Sequence, residues 1–183
     1  EQTKKRNKLL YQSEHDELTG LYNKRSLNRY LEDVFEACKL NEKELGILFL
    51  DIDYFKQLND RYGHGKGDEG ICAVADTLKR IFPEDYVARY GGDEFLVVMT
   101  GRDLAYAMEH AELLCAGIRE SKISNEDSEL EPWLTISVGG VCAIPKEPNR
   151  VWDFLSAADN TLYEQKKEQK GKVRFYQGEG KYL

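Results

Sequence analysis

The feature that most constrains the fold is a short apolar run that ends abruptly in carboxylates. Residues 45–50 read Leu-Gly-Ile-Leu-Phe-Leu, and Asp51, Ile52 and Asp53 follow directly. A continuous apolar run of this length is typical of a strand that is covered on both faces. Because carboxylates are costly to bury without compensation, the run predicts a central strand with a polar site at its carboxyl end.

Helical and strand-like patterns alternate along the rest of the chain. The patterns predict a helical lead-in over residues 1–14, a short helical stretch after Asp53, and amphipathic helices over residues 24–40, 68–81, 103–120 and 151–169. Strand-like runs occupy residues 86–90, 95–99, 133–143 and 173–176. The glycine-rich residues 62–67 predict a loop.

The order of these elements predicts the fold class. A βαββαβ succession is typical of an α+β fold with a ferredoxin-like, antiparallel-rich sheet and flanking helices. Helical spacing places Leu104 and Met108 on the inward face of the 103–120 helix. It places Trp152, Leu155 and Leu162 on the inward face of the 151–169 helix.

A Gly-Gly pair lies between two of the strand-like runs and predicts a hairpin. Asp93 and Glu94 directly follow Gly91 and Gly92. Carboxylates in turns are usually only solvated, but here the glycines leave room for a ligand to approach the backbone. If this hairpin lies beside the central strand, Asp93 and Asp51 converge. Paired carboxylates that share a metal are typical of phosphoryl and nucleotidyl transfer.

Asp51 and Asp53 have two interpretations. Residues i and i+2 of a strand project to the same side, so both side chains can face one site. Mg²⁺ takes oxygen ligands, usually one or two carboxylates together with substrate phosphate. Asp53 can instead cap a helix that begins at Tyr54, and these two interpretations stay open. For Asp51, a purely structural role is the less favoured alternative.

The segment after Asp53 holds further polar candidates. Lys56 lies one turn on and can reach a phosphate. The amide of Asn59 and the acceptor-only carboxylate of Asp68 can hydrogen-bond the donor edge of guanine. Helix termination and N-capping are the alternative for these two residues, and generic statistics favour it. His64 lies between glycines, where a histidine is most often an ordinary loop residue.

The charge of the chain limits its partners. A net charge of −7 argues against a nucleic-acid binder that works through bulk charge. A small anionic ligand is still compatible, because metal and a few local cations offset the repulsion. Lys166 and Lys170 are four residues apart and share a helix face, as a triphosphate would require. The alternative for them is a solvated helix end that the macrodipole favours.

The cysteines and the hydropathy indicate the compartment. The four cysteines include no Cys-x-x-Cys pair, so a zinc site is not expected. We expect buried free thiols in a reducing, cytoplasmic compartment. No apolar run is long enough to insert in a membrane, although a longer parent protein can be tethered to one. Because the chain starts at Glu1 without Met, we interpret it as a piece of a longer protein.

Several motifs together resemble one protein family. The motifs are Gly91-Gly92-Asp93-Glu94-Phe95, residues 16–23 (Asp-Glu-Leu-Thr-Gly-Leu-Tyr-Asn), residues 51–56, residues 63–64 and 67–68, residues 137–139, and residues 157–166. They resemble the GGDEF family, the diguanylate cyclases, in order over residues 14–177. The resemblance implies a palm-type, nucleotide-cyclase-like fold, with residues 1–14 leading from a missing N-terminal sensor into a catalytic domain over residues 15–183.

The resemblance also implies an activity and a set of residue roles. Two GTP molecules would be joined into cyclic di-GMP and pyrophosphate by a homodimer that needs Mg²⁺ or Mn²⁺. The implied metal ligands are Asp51, the carbonyl of Ile52, and Asp93. The implied substrate contacts are Asn59 and Asp68 for guanine, Lys56, Lys166 and Lys170 for phosphates, and His64, Gly91 and Gly92 nearby. Glu94, or Asp93 itself, would help to activate the 3′-hydroxyl.

The chain departs from the family pattern in two places. The family's product-inhibition motif, Arg-x-x-Asp, corresponds here to Phe82-Pro-Glu-Asp85, in which the arginine is missing. The resemblance therefore implies weak or absent product inhibition through that site. After the last helix, Lys170-Gly-Lys172 replaces the usual Gly-Arg-Asn, which leaves open which cation contacts phosphate.

Overall fold

The apolar run forms the central strand of a five-stranded sheet. The computed structural model describes residues 2–178. In it, β1 (Leu45–Ile52) lies between β3 (Glu94–Thr100) and β4 (Ile136–Ala143) and is antiparallel to both. Every residue of β1 is buried, as expected of a strand covered on both faces.

Two shorter strands complete the sheet. β2 (Tyr86–Arg89) pairs antiparallel with β3, and β5 (Val173–Phe175) pairs parallel with β4. The strand order is β2-β3-β1-β4-β5. The first four strands have the ferredoxin-like arrangement that the chain order predicts, and β5 extends the sheet at one edge.

Helices cover both faces of this sheet. Their bounds are α1 (Gln2–Glu14), α2 (Lys24–Leu40), α3 (Phe55–Tyr62), α4 (His64–Ile81), α5 (Leu104–Glu120) and α6 (Val151–Glu168). Leu48 and Leu50 of β1 pack in a layer with α4 and α5, whereas Ile47 and Phe49 pack in a layer with α2 and α6. The alternation of strand side chains therefore supplies two cores from one strand. The predicted α+β class is confirmed.

The predicted loop over residues 62–67 is wrong, because α4 begins at His64 and contains two of its glycines. Asp68 consequently lies inside α4 rather than opening it. Gly67 permits close packing of α3 on α4, since an added Cβ there would lie 1.9 Å from Asn59 Oδ1 of α3. Gly70, one turn further, also faces α3, at an ordinary contact distance of 3.5 Å from its Cβ position to Leu58. Packing of this kind overrides the poor helix propensity of glycine.

Three predicted core positions are wrong. Trp152 of α6 is 67% exposed, and Leu104 and Met108 of α5 are 43% and 48% exposed. The buried stripe of α6 runs instead through Phe154, with Leu162 as predicted. The spacing rule gives the period of a helix, but its phase depends on the partner that the helix packs against.

The remaining expectations fit the structure with small shifts. The strand predicted from Trp133 starts at Ile136. All four cysteines are free, but only Cys38 and Cys115 are buried; Cys72 and Cys142 are partly exposed. Within residues 2–178, no helix is long and apolar enough to cross a membrane. The predicted domain end at residue 183 lies outside the described residues.

Candidate functional site

A pocket of about 450 Å³ opens at the carboxyl end of β1, and we call it the β1 pocket. Its lining includes eight of the residues singled out in the sequence: Asp51, Ile52, Lys56, Asn59, His64, Asp93, Lys166 and Lys170. Tyr54, Phe55, Gln57 and Asp60 also line it. Four predicted site residues are not in this lining, namely Asp68, Gly91, Gly92 and Glu94.

The hairpin brings the two candidate carboxylates together. In the β1–β3 pairing, Asp51 lies opposite Glu94, and the Ile52 backbone N–H donates to the Asp93 carbonyl at 3.3 Å. The turn that holds Asp93 therefore folds back over the end of β1. The predicted convergence of Asp51 and Asp93 depended on this pairing, and the pairing is present.

Asp51 is a buried carboxylate with one satisfied oxygen. Lys166 Nζ donates to its Oδ2 at 2.5 Å, while its Oδ1 is buried and has no hydrogen-bond partner within residues 2–178. Burial raises the pKa of Asp51 to about 6, against the lowering effect of Lys166. Burial also raises the pKa of Asp93. The pocket thus concentrates negative charge that burial disfavours and that a cation would relieve.

Asp53 neither caps α3 nor lines the β1 pocket with Asp51, the two interpretations that the sequence left open. Its carboxylate accepts hydrogen bonds from Thr135 Oγ1 at 2.8 Å and Ser137 Oγ at 2.6 Å, so it links β1 to the segment that enters β4. The helix-cap interpretation is wrong, because Tyr54 occupies the N-cap position of α3 and makes no side-chain cap. Asp53 does not line the β1 pocket. The hydroxyl donors lay some eighty residues away in the chain, so spacing could not reveal them.

An arginine that the sequence reasoning missed fixes the hairpin turn. Arg89 donates from Nε to the carbonyls of Gly91 and Gly92, each at 3.1 Å, and its Nη1 lies 3.2 Å from the Asp16 carboxylate. The Glu94 carboxylate lies against the same turn, because a Cβ built on Gly91 would be 2.7 Å from Glu94 Oε2. Gly91 thus makes room for the Glu94 side chain.

Asn59 presents an unsatisfied acceptor in the pocket. Its Oδ1 is buried without a hydrogen-bond partner in the described part of the chain. A Cβ at Gly67 would lie only 1.9 Å from this atom, so the glycine is what allows the amide to sit there. Asp68, the next residue of α4, is exposed.

The three lysines of the pocket differ in their partners. Lys166 is paired with Asp51, and although burial opposes it, this hydrogen bond and charge raise the pKa of Lys166. Lys56 is exposed and forms an ion pair with Asp60 at 2.9 Å. Lys170 Nζ lies over the ring of Tyr54, 4.1 Å from its centroid. Tyr54 lies within the motif of residues 51–56, but the sequence analysis gave it no role because it carries no charge.

The pocket does not contain a complete protein cage for a metal ion. Among residues 2–178, no three His, Cys, Asp or Glu side chains come close enough to hold one. A cation in the pocket would therefore need oxygen atoms from another source besides the two carboxylates. Substrate phosphates are the usual source for Mg²⁺.

Comparisons with known proteins agree on one family. Residues 13–172 match the family described as "Diguanylate cyclase, GGDEF domain". The chain is 32% identical over 162 residues to the probable diguanylate cyclase DgcC of Escherichia coli, covering 87% of this chain and 42% of that protein. It is 30% identical over 174 residues to diguanylate cyclase DgcM of the same organism, covering 94% and 41%. The chain thus spans less than half the length of these curated relatives.

Solved structures show the same fold. The GGDEF domain of TpbB, also called YfiN, from Pseudomonas aeruginosa superimposes with a TM-score of 0.79 and 28% identity, covering 89% of this chain and 94% of that one. The coiled coil and GGDEF domain of DgcB from Caulobacter crescentus, solved with c-di-GMP, gives a TM-score of 0.85. That structure is 23% identical, covers 94% of this chain and 91% of its own, and supports the fold alone.

Proposed function

The chain belongs to the GGDEF domain family of diguanylate cyclases, and we propose that it condenses two GTP molecules into cyclic di-GMP and pyrophosphate. The observation that carries the proposal is the convergence of Asp51 and Asp93 in a pocket that is also lined by three lysines, Lys56, Lys166 and Lys170. Carboxylates and cations arranged around one cleft are what nucleotidyl transfer from a triphosphate requires.

The guanine end of the substrate is assigned to Asn59 and Asp68. The buried Oδ1 of Asn59 lacks a donor, and guanine offers donors at N1 and N2. Asp68 directly follows the glycine that adjoins Asn59, and we propose that its exposed carboxylate accepts from the same base edge. His64 lines the pocket on this side. Adenine presents a different donor pattern, so this pair favours guanine.

The triphosphate end is assigned to the lysines and the metal. Lys56, Lys166 and Lys170 line the pocket and supply positive charge. Asp51, Asp93 and the Ile52 carbonyl suit Mg²⁺ or Mn²⁺, because the orphaned Asp51 Oδ1 is a buried anionic oxygen without a partner among the described residues. Such an ion, when bound, neutralises charge on the phosphates and orients them. Gly92, whose Cβ position has no atom within 4 Å, leaves the backbone of the turn open to the nucleotide, and Gly91 makes room for Glu94.

The reaction needs two such pockets facing each other. In each, the 3′-oxygen of one GTP forms a bond to the α-phosphorus of the other, the bond between the α- and β-phosphates breaks, and pyrophosphate leaves. The proton of the 3′-hydroxyl goes to a carboxylate. Glu94, which lies beside Gly91 at the turn, and Asp93 are the two candidates. Since each domain holds one substrate, we propose a homodimer as the active form.

Product inhibition through the family's Arg-x-x-Asp site is not expected. Phe82, which stands in place of the arginine, is a core residue with 1% exposure. The Asp85 carboxylate already accepts a hydrogen bond from the Tyr106 hydroxyl at 2.9 Å, and Arg102 Nε lies 4.0 Å away. The residues at both ends of the motif, Phe82 and Asp85, therefore make contacts within the fold. We expect that added cyclic di-GMP does not lower the initial rate through this site.

The cysteines and the longer relatives support a proposal about the compartment in which the domain works and the region that controls it. Free cysteines at all four positions fit a reducing compartment, so we propose that the domain works in the cytoplasm. Because the curated relatives are more than twice as long, we propose that a sensor region controls the domain through α1. Neither nucleic acid nor a membrane is part of the proposed reaction.

The proposal is tested by analysing products. Purified protein is incubated with GTP and Mg²⁺, and nucleotides are separated by chromatography, beside Asp93→Ala and beside Asp33→Ala, an exposed acid on α2. We expect cyclic di-GMP from the parent and from Asp33→Ala, and none from Asp93→Ala or after chelation of the metal. If the parent makes no product even when a fused coiled coil enforces dimerisation, the chain is a nucleotide-binding module and not a cyclase.

A further inference from the structure

Tyr54 occupies an unusual place at the edge of the β1 pocket. It directly precedes α3, and its backbone is left-handed, with φ 54° and ψ 35°. A tyrosine rarely adopts this conformation, because its Cβ crowds the following carbonyl. Such backbones persist where the surroundings hold them, and they concentrate at functional sites.

The ring of Tyr54 holds a lysine that forms no ion pair with the described residues 2–178. Lys170 Nζ lies 4.1 Å from the ring centroid. By contrast, Lys166 and Lys56 are ion-paired with Asp51 and Asp60. Within residues 2–178, no carboxylate lies at ion-pair distance from Lys170. An aromatic face attracts an ammonium group without forming an ion pair, so the charge of Lys170, which also interacts with the Asp53 carboxylate at longer range, remains available to an anion.

The far side of Tyr54 is fixed by an acidic loop. The Tyr54 hydroxyl donates to Glu129 Oε2 at 3.4 Å. The same loop is tied to α3 by Arg61, whose Nη1 lies 2.7 Å from Asp127 and whose Nη2 lies 2.5 Å from Glu126. Tyr54 is therefore held between a charged loop outside the pocket and Lys170 inside it.

We infer that Tyr54 is a positioning residue for the triphosphate: its ring holds the Lys170 ammonium at the pocket edge, where it can reach the phosphates. The inference rests on the proposed GTP site and deepens it. The Tyr54 ring does not touch the reacting atoms; it acts through Lys170. This role suits a lysine in particular, because its flexible stem needs an external support that the planar guanidinium of arginine needs less.

The test measures binding of 3′-deoxy-GTP, which lacks the attacking hydroxyl and so cannot turn over, in the presence of Mg²⁺. The variants are Tyr54→Leu, Tyr54→Phe, Lys170→Ala and the double variant Tyr54→Leu/Lys170→Ala. A matched control is Tyr163→Leu, because Lys167 Nζ lies 4.3 Å over that exposed ring on α6, outside the pocket. Thermal unfolding of each variant confirms folding.

We expect Tyr54→Leu to raise the dissociation constant about two- to fivefold, the range of an exposed cation–π contact. Tyr54→Phe keeps the ring and should bind like the parent, as should Tyr163→Leu. On the Lys170→Ala background, the same Tyr54→Leu change should have no further effect. Parent-like affinity of Tyr54→Leu, or an equal loss with and without Lys170, overturns the inference and leaves the GTP site intact. Failure of the parent to bind 3′-deoxy-GTP overturns the proposed function itself.

Discussion

At position 67, a side chain of any kind would enter the space that the Asn59 amide occupies. The Cβ of Gly67→Ala would meet Asn59 Oδ1 at 1.9 Å and displace it. We expect roughly tenfold weaker binding of 3′-deoxy-GTP, since one hydrogen bond to the base contributes about 1.4 kcal/mol. The affinity is measured by titration, with Mg²⁺ present.

Gly65→Ala is the matched control for this change. Both glycines lie in the first turns of α4, but nothing lies within 4 Å of a Cβ at Gly65. Alanine there should stabilise α4 by up to about 1 kcal/mol and leave nucleotide affinity unchanged. Equal affinities of the Gly67→Ala and Gly65→Ala proteins would remove Asn59 from the guanine site.

Among elements, the β2–β3 hairpin depends on a contact outside the sheet. Asp16, in the turn before α2, accepts hydrogen bonds from the Thr19 backbone N–H at 2.9 Å and hydroxyl at 2.7 Å, and it pairs with Arg89 of β2. Although burial opposes it, these bonds and the Arg89 charge hold the pKa of Asp16 below its usual value of 3.8. We expect Asp16→Asn to lower the free energy of unfolding by about 1–2 kcal/mol at pH 7.

The same contact predicts a pH dependence. A carboxyl whose pKa is lowered by folding stabilises the protein above its unfolded pKa, and this contribution is lost as pH falls through the lower, folded pKa. The parent and Asp16→Asn should therefore differ in urea unfolding at pH 7, begin to converge near about pH 4, and meet only below the folded pKa of Asp16. Glu17→Gln, at the exposed neighbouring position, should show no such convergence. A difference that stays constant down to pH 2 would contradict the role of the Asp16 charge.

The elements also show where sequence patterns reach their limit. The run at residues 45–50 and the Gly91-Gly92 turn predicted β1, the hairpin and the meeting of Asp51 with Asp93, because strand burial and turn chemistry are local properties. The start of α4 at His64 was missed, because close packing against α3 decided it and helix propensity did not. The hydrogen bonds of Asp53 join residues about eighty positions apart, and no local pattern encodes such a pair.

At the scale of the whole molecule, the sheet order was predictable because few topologies satisfy a βαββαβ succession. What one chain cannot supply is the second half of the proposed site. The β1 pocket holds one set of substrate contacts, whereas the reaction joins two nucleotides. In the proposed reaction, assembly of two domains is thus part of the chemistry, and we propose that helix α1 controls it.

The last prediction concerns the effect of domain assembly on turnover. No residue of α1 is buried, and its apolar residues Leu9, Leu10 and Tyr11 are 58%, 52% and 54% exposed. Without a linkage, turnover per protomer should rise with protein concentration. A parallel two-stranded coiled coil fused in register before Gln2 should abolish that dependence and raise turnover at dilution, because a short linkage gives an effective concentration on the order of millimolar. A fused monomeric helix of equal length is the control. Equal turnover of all three proteins across a hundredfold dilution would show that the domain does not need a partner.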